Sequence, residues 1–309
     1  FMRLLAVPAD VFYAKLASAE TLMVFAAARL RRLPVCFRVS SDFEAQPALL
    51  EDKIFRGNRW LCRLFLHALR NMSAVVCQTA AQATNIRNLG IADPVVIPNA
   101  HEIEKVESWP SAGERSLVLW VGRCYPPKRP MAFVALARKL PSRKFVLVLA
   151  KTAYPGSDTL MAEVMAGSAD LEHLTLIPGA GRDDLTRLYL QARVFVLTSE
   201  AEGFPNVVIE AFKYGVPVVS DTLDFDRLLA PVPAAGQVGR LDPAPGYCVS
   251  GDAEAMAAVI ERLCTDHAWW TECSNQARSY AVATFDAAQI AIRYEDLFRR
   301  LASAQRTSC

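Results

Sequence analysis

Short runs of β-branched and aliphatic residues alternate with segments of helical periodicity along almost the whole chain. Before residue 101 these runs are DVFYAKL, PVCFRVS, AVVCQTA and PVVIPN, with a helical pattern after each of the first three. Such alternation predicts βα units and a parallel sheet covered by helices on both faces. It limits the architecture of the chain more than any other feature, and the predicted class is α/β.

The alternation is interrupted once, by the polar segment HEIEKVESWPSAGERS. This segment has no periodicity and contains Pro, Ser and Gly, so it predicts a linker at residues 106–116 between two domains. The first domain is predicted at residues 1–105. The alternation resumes from SLVLWVGR to VPVVSD, which predicts a second α/β domain at 117–285. A C-terminal helix, 286–309, is expected to pack back on the first domain.

Composition excludes several functional classes. The chain has 309 residues, is 52% hydrophobic and has a net charge of +2, so no nucleic-acid partner is expected. Its eight cysteines form no C-x-x-C pair and several lie in apolar runs, which indicates reduced core residues. The four histidines lack metal-ligand spacing. No signal peptide is visible and no apolar run approaches the roughly 20 residues that cross a bilayer, so a cytoplasmic location is expected.

The segment EGFPNVVIEAFKYG, residues 202–215, places two carboxylates around the start of a short helix. Pro205 suits a first helical turn and Gly215 a left-handed C-terminus, so a helix is predicted from Pro205 to the residue before Gly215. It follows the strand-like VFVLTSE, and beyond the carboxyl end of a strand a helix N-terminus can bind phosphate. Glu210 can accept two hydrogen bonds from a vicinal diol such as a ribose. Alternatively, Glu202 is a loop charge and Glu210 a surface residue.

This block resembles the E-x7-E signature of retaining glycosyltransferases of family 4, which have the GT-B fold of two Rossmann-like domains. Four other stretches are similar to motifs of that family, in the expected order: VVIPNAHEI, VGRCYPPKRP, LTLIPGAGRDDLTRLYLQARVFVLTS and GYCVSGDAEAMAAVIERL. The resemblance covers nearly all of residues 9–300. It implies a GT-B fold whose second domain binds a nucleotide diphosphate sugar.

The resemblance implies a role for each matching residue. Arg123 and Lys128 would bind the donor diphosphate and stabilise the departing nucleotide without a metal ion, so neither a metal nor another cofactor is expected. Glu202 would serve the donor sugar and its developing charge, which makes these three the predicted catalytic residues. Glu210 would bind the ribose hydroxyls. The other predicted donor-binding positions are Gly122, Gly179, Gly203, Phe204, Asn206 and Val207. Because the two carboxylates serve different parts of one ligand, they are not the acid/base pair of a hydrolase.

Two departures from the family pattern concern the acceptor side. Many members have a His after the strand equivalent to PVCFRVS, whereas this chain has R-x-S-S-D there. Arg38 and Asp42 are therefore candidate acceptor-side or catalytic-cleft residues, the alternative being an ordinary polar strand end. The glycine-rich loop that normally follows the first strand is absent, and about three strands precede the linker. An N-terminal domain lacking its first part is thus expected.

Residues 51–70 carry a local charge pattern. Basic side chains recur every three or four positions, at Lys53, Arg56, Arg59, Arg63, His67 and Arg70. On one continuous helix these residues share a face, beside an apolar stripe. The pattern indicates either a helix with one buried and one solvated side or a peripheral contact with an anionic membrane.

The sequence therefore predicts a glycosyltransferase that moves a sugar, with retention, from a nucleotide diphosphate sugar to a saccharide or lipid-linked acceptor. Bacterial polysaccharide or glycoconjugate synthesis is the expected setting. Two alternatives stay open: a non-catalytic nucleotide-sugar-binding fragment or partner subunit, and a nucleotide-sugar epimerase of the same fold.

Overall fold

The computed structural model describes residues 1–103 and 109–306, with side chains described through residue 304. The chain divides into two compact units. Unit 1 comprises Phe1–Glu102, Glu202–Phe204 and Phe285–Cys309, and unit 2 comprises Ile103–Ala201 and Pro205–Thr284. Residues 106–108 of the predicted linker lie outside the described residues.

Unit 1 contains a four-stranded parallel sheet in the order β1-β2-β3-β4. Its strands are β1 (Phe12–Lys15), β2 (Val35–Arg38), β3 (Ala74–Cys77) and β4 (Val95–Val96). Each lies within one of the four apolar runs, which confirms the α/β prediction for this part of the chain. The helices are α1 (Met2–Ala6), α2 (Ala19–Arg31), α3 (Pro47–Leu49), α4 (Arg59–Arg70), α5 (Ala80–Asn88) and α12 (Ala287–Arg306), with a 3-10 turn at Asp42–Ala45 and a π turn at Leu50–Ile54. Helix α1 precedes β1, the first of the predicted strands.

The sheet of unit 1 is covered on both faces. On β2, Phe37 points into a cluster with Phe65 of α4, and their ring centroids are 5.4 Å apart. The neighbouring Cys36 points to the other face and packs with Ile290 and Leu297 of α12. Because successive side chains of a strand alternate between faces, each face buries its own apolar layer.

The prediction of one continuous helix over 51–70 is wrong. Arg56 and Gly57 have φ values of +51° and +79°, which end a right-handed helix. Asn58 then caps α4, because its side-chain oxygen accepts a hydrogen bond from the backbone three residues later at 3.1 Å. Lys53 and Arg56 therefore do not lie on the same helix as the other basic residues.

A buried carboxylate joins the loops that follow β1 and β2. Glu44 is only 1% exposed, and its carboxylate accepts backbone N–H groups of Ala17 at 2.7 Å, of Ser41 at 3.3 Å and of Ser40. Burial raises the pKa of this carboxyl above its usual range, and the three hydrogen bonds oppose that shift. The turn that leads into Asp42 is thereby tied to the end of β1.

Unit 2 contains a seven-stranded parallel sheet in the order β10-β11-β9-β8-β5-β6-β7. Its strands are β5 (Leu117–Arg123), β6 (Lys144–Ala150), β7 (Leu174–Ile177), β8 (Ala192–Leu197), β9 (Val218–Ser220), β10 (Ala230–Pro231) and β11 (Gly246–Cys248). Its helices are α6 (Pro130–Lys139), α7 (Ser157–Ser168), α8 (Arg182–Gln191), α9 (Asn206–Lys213), α10 (Ala253–Thr265) and α11 (His267–Phe285), with 3-10 turns at Ala112–Glu114, Pro126–Lys128 and Ala235–Arg240. The apolar runs predicted all of these strands except the short β10 and β11.

The strand order of unit 2 contains a switch point. From β5 the chain moves outward to β6 and β7, and then returns to β8 on the other side of β5. The connections that leave β5 and β8 therefore run in opposite directions. In open α/β sheets, ligands bind in the crevice that such a reversal creates at the carboxyl ends of the strands.

The described part of the predicted linker packs on unit 2. The Trp109 ring lies under the guanidinium of Arg278 at 3.7 Å. Arg115, only 4% exposed, donates to the carbonyl oxygens of Tyr214 at 3.0 Å and Tyr189 at 3.2 Å. Buried guanidinium groups need such acceptors, so this segment is fixed to the body of the unit.

The cysteines of the described chain are free thiols, as predicted. Six of them are buried and Cys264 is half-buried, whereas Cys309 lies outside the described residues. Burial raises the pKa of Cys36 and of Cys77 to about 12, which keeps both thiols protonated at neutral pH. Within the described residues, no helix is both long and apolar enough to span a bilayer.

Candidate functional site

The end of β5 and the turn that follows it carry the two predicted phosphate-binding cations, Arg123 and Lys128. Gly122 and Arg123 are the last two residues of β5, and Lys128 ends the following 3-10 turn. A methyl group added at Gly122 would lie 2.6 Å from a ring carbon of Trp120, which is itself only 2% exposed. Glycine is therefore required at this position because the indole packs against its α-carbon.

A hydroxyl just after β8 fixes the position of residues 122–128, which we call the cation loop. Thr198 Oγ1 accepts the indole N–H of Trp120 at 2.9 Å and donates to the carbonyl oxygen of Lys128 at 2.6 Å. Two residues later, the Glu200 N–H donates to the Pro127 carbonyl at 2.9 Å. Both contacts join the loops on the two sides of the switch point, so they set where Lys128 lies.

The neighbouring cation, Arg129, has a structural role instead. It has a left-handed backbone with φ +52° and precedes α6. Its guanidinium lies 2.5 Å from the carboxylate of Asp221, which follows β9, and 3.8 Å from that of Glu200. Because Asp221 is only 8% exposed, this ion pair is weakly screened and holds the loop against the strand ends.

Helix α9 is one residue shorter at each end than predicted. Pro205 is the N-cap with an extended ψ of 132°, so it precedes the helix rather than occupying its first turn. At the other end, Gly215 has the predicted left-handed backbone, with φ +65°. The N–H of Val216 donates to the Ala211 carbonyl at 2.8 Å and that of Gly215 to Phe212 at 2.9 Å, which is the Schellman pattern of a firmly ended helix.

Glu210 is half-buried and is a neighbour of a buried phenol. The pKa of Tyr189 in α8 is raised well above its usual value, first by burial and then by the charge of Glu210 and a hydrogen bond with it. The Tyr189 ring stacks on Tyr214 with centroids 5.6 Å apart, and its hydroxyl lies 3.3 Å from the Val207 carbonyl. Glu210 is thus half-buried beside a buried phenol, which argues against a merely solvated surface residue.

Gly179, another predicted donor-binding position, lies just beyond the carboxyl end of β7. Gly179 has φ +87°, and nothing lies within 4 Å of a methyl group added there. The positive φ, and not a lack of space, therefore favours glycine at this position. Gly181 is the N-cap of α8. The predicted donor-binding residues of unit 2 therefore lie at the end of β5, in the loop after β7, or in α9, which follows β8.

The first three residues of the E-x7-E segment, Glu202–Phe204, group with unit 1. The Phe204 carbonyl accepts a hydrogen bond from Asn99 Nδ2 at 3.0 Å, and its ring lies 4.9 Å from that of Phe285. Arg38 donates to the side-chain oxygen of Asn99. The acceptor-side candidate Arg38 is therefore separated from Phe204 by a single amide side chain.

Asp42 lies near the same segment. Its Oδ1 accepts a hydrogen bond from Gln82 Nε2 at 2.9 Å. A methyl group added at Gly203 would lie 2.7 Å from that same nitrogen. The structure thus brings Arg38 and Asp42 to the surroundings of Glu202–Phe204 within unit 1, as the sequence could not show.

Sequence reasoning missed the neutral side chains that organise these loops. They are Asn99, Gln78, Gln82, Thr198 and Tyr189, together with the ion pair of Arg129 and Asp221. One signal was available, because Thr79 and Gln82 have the T-x-x-Q spacing of a capping box. Among the residues that the structure describes, no group of three or more His, Cys, Asp or Glu side chains is placed to hold a metal ion.

Comparison with known proteins assigns a family to the chain. Residues 102–281 match the family model described as "Glycosyl transferases group 1". That match covers more than half of the chain, and the chain belongs to this family.

Curated relatives share part of the chain. The D-inositol 3-phosphate glycosyltransferase of Mycobacterium sp. (strain KMS) is 29% identical over 163 residues, covering 47% of this chain and 36% of that protein. The lipopolysaccharide core biosynthesis glycosyltransferase LpsE of Rhizobium meliloti (strain 1021) is 26% identical over 240 residues, covering 75% of this chain and 66% of that protein. The chain thus matches about a third of the mycobacterial enzyme's length.

Solved structures share the fold. Anabaena Alr3699/HepE in complex with UDP superposes with a TM-score of 0.75 at 19% identity, covering 94% of this chain and 79% of that one. Sucrose-phosphate synthase from Thermosynechococcus elongatus gives a TM-score of 0.70 at 19% identity, covering 96% and 74%. The predicted fold class, GT-B with parallel Rossmann-like sheets, is confirmed.

Proposed function

We propose that this chain transfers a sugar from a nucleotide diphosphate sugar to a saccharide or lipid-linked acceptor, with retention, in the manner of family 4 glycosyltransferases. One observation supports the donor half above all others. The cation loop, residues 122–128, ends β5 and continues beyond it, and α9 follows the adjacent strand β8, both at the switch point of the seven-stranded sheet. Crevices of this kind bind nucleotides in parallel α/β sheets.

The proposed roles follow from charge. Arg123 and Lys128 bind the diphosphate and offset the charge that accumulates as the sugar bond breaks. This scheme requires no metal ion. Glu210 accepts hydrogen bonds from the ribose hydroxyls, and Glu202 serves the donor sugar. The names of the relatives, which act on inositol phosphate or in lipopolysaccharide core synthesis, support a polyol or saccharide acceptor in glycoconjugate synthesis.

Calorimetry tests the donor half of the proposal. We expect UDP and UDP-glucose to bind the purified chain with 1:1 stoichiometry, because a complex of HepE with UDP-glucose shows this fold holding such a ligand. GDP and ADP serve as comparison ligands for base preference. If none of the three nucleoside diphosphates bound, the proposed function would be wrong.

Turnover separates the remaining alternatives. Release of UDP from UDP-glucose, to water or to an added acceptor, identifies a transferase. Binding without any release would favour the non-catalytic subunit. Conversion of the donor to an epimer without release would favour an epimerase.

The surface of α4 supports a membrane partner for this activity. Arg59, Arg63, His67 and Arg70 are exposed on one side of the helix, and the helix contains no acidic residue. At 100° per residue, Trp60 and Leu64 border the same side, and they are 68% and 37% exposed. Basic residues beside an exposed tryptophan fit the interface of an anionic bilayer, where a lipid-linked acceptor would lie.

Vesicle co-sedimentation tests this contact. Each arginine near an anionic surface contributes about 1 kcal/mol, so Arg63→Glu is expected to lower the partition coefficient at least about fivefold on phosphatidylglycerol vesicles. Trp60→Ser is expected to lower it as well. Leu30→Ser is the control, since Leu30 is 70% exposed on α2. Equal binding of the native chain to neutral and anionic vesicles would contradict the proposal.

A further inference from the structure

Two buried glutamines of unit 1 have no part in the proposed function. Gln82 is 0% exposed and Gln78 is 6% exposed. Burying an amide is costly unless its polar atoms are hydrogen-bonded, so the contacts of these side chains are specific. Both lie next to Asp42 or the strand end that leads to it.

The start of α5 determines which way the Gln82 amide faces. Thr79 caps the helix, and its hydroxyl accepts the Gln82 N–H at 3.1 Å. From this third helical position a glutamine side chain turns back toward the incoming chain, and here its Oε1 accepts the Gln78 N–H at 2.9 Å. Because the oxygen is engaged there, Nε2 faces the other way and donates to Asp42 Oδ1 at 2.9 Å.

The same nitrogen lies against the backbone of Gly203. A methyl group at Gly203 would lie 2.7 Å from Gln82 Nε2 and 3.4 Å from Gln78 Nε2. Glycine is therefore needed here for close approach, since its φ is not among the positive values. One amide nitrogen thus contacts both the Asp42 carboxylate and the Glu202–Phe204 segment.

Gln78 fixes the other side of Asp42. Its Nε2 donates to the carbonyl oxygens of Val39 and Ser40, each at 3.0 Å. These two residues connect β2 to the turn that begins at Asp42. The backbone and the carboxylate of Asp42 are therefore held by two neighbouring amides.

We propose that Gln82 is a positioning residue that holds the Asp42 carboxylate beside Gly203, so that Asp42 accepts a hydrogen bond from a hydroxyl group of the sugar or acceptor. An ionised carboxylate only accepts hydrogen bonds, which makes a hydroxyl its natural ligand here. Gln82 itself touches no substrate. This inference rests on the proposed function, because it assumes a sugar bound near Glu202–Phe204.

Kinetics of Gln82→Met test the inference, since methionine keeps the length and loses the amide. We expect the Kd for UDP to stay within about twofold, because the proposed nucleotide contacts lie in unit 2. The kcat for UDP release from UDP-glucose should fall at least about tenfold, through a less well-placed carboxylate. Gln276→Met is the matched control, because that glutamine is exposed in α11 of unit 2.

A double variant separates positioning from general structural support. If Gln82 acts through Asp42, adding Gln82→Met to Asp42→Ala lowers kcat no further. Fully multiplicative effects, or a normal kcat for Gln82→Met, would overturn the inference while leaving the proposed function intact. Failure of the native chain to bind UDP would instead count against the proposed function.

A stability measurement tests the Gly203 contact without turnover. We expect Gly203→Ala to lower the free energy of unfolding in the native background and to cost less in a Gln82→Ala background, where the clashing amide is gone. An equal cost in both backgrounds would show that the amide does not lie under Gly203, and the inference would fail.

Discussion

Replacing Lys128 with alanine is expected to lower kcat for sugar transfer about 100- to 1,000-fold while changing the Kd for UDP much less. Removing one preorganised group that stabilises transition-state charge typically has an effect of this size. Lys128 fits that role because its backbone is fixed by Thr198 and its turn lies at the switch point. Steady-state rates of UDP release, together with calorimetry, measure the two quantities separately.

The matched control is Lys144→Ala, which removes the same charge from the first residue of β6. In this parallel sheet that residue lies at the amino ends of the strands, whereas Lys128 lies beyond their carboxyl ends. The control should leave kcat unchanged. If Lys128→Ala retained native kcat, or lost binding and turnover equally, its assignment to the leaving diphosphate would be wrong.

Replacing Glu210 with alanine is expected to weaken UDP binding roughly 10- to 100-fold. Hydrogen bonds to a charged group contribute about 1.5–3 kcal/mol when both partners are otherwise satisfied. Glu210 is half-buried near the buried Tyr189, so its side chain has less freedom to lose when a ribose binds than a fully exposed glutamate would. Titration calorimetry with UDP and with 2′-deoxy-UDP, which lacks only the ribose 2′-hydroxyl, measures the loss.

Glu163→Ala provides the control, because Glu163 is an exposed helical glutamate of α7. The loss of affinity caused by Glu210→Ala should be smaller for 2′-deoxy-UDP than for UDP, because the deoxy ligand lacks one of the hydroxyls that Glu210 would bind. If Glu210→Ala bound UDP with native affinity, the ribose assignment would be abandoned.

The parallel α/β architecture could be predicted because it is encoded locally. Runs such as SLVLWVGR and VFVLTSE have apolar β-branched residues that are buried on both faces, and they became β5 and β8. Gly215 ended α9 as predicted because the left-handed backbone after a helix, with φ +65° here, is a local feature that favours glycine. Features set within a few residues of chain are visible in sequence.

The break at residues 55–58 shows where such reasoning fails. Basic residues recur at helical spacing on both sides of Gly57 and Asn58, so periodicity alone favoured one continuous helix. The Gly-Asn pair was nevertheless a stop and a cap signal, and the structure follows it. Periodicity measures which face is apolar, and it does not measure whether the backbone continues.

The supports of the site could not be predicted for a different reason. The Thr198 hydroxyl and the Lys128 carbonyl are 70 residues apart, and Asp42 and Gln82 are 40 apart. Neutral hydroxyl and amide groups create no charge pattern, and nothing in their spacing links such distant positions. Only the folded sheets bring them into contact.

The two firm ends of α9 also restrict how this region can vary in length. An extra residue inserted between Asn206 and Glu210 would turn the carboxylate by about 100° around the helix axis and move it about 1.5 Å along it, away from Tyr189. The helix cannot shift along the sequence to accommodate the extra residue, because Pro205 fixes where α9 starts and the Gly215 cap fixes where it stops. Substitutions should therefore be far better tolerated here than insertions or deletions, which library selection for UDP binding would reveal.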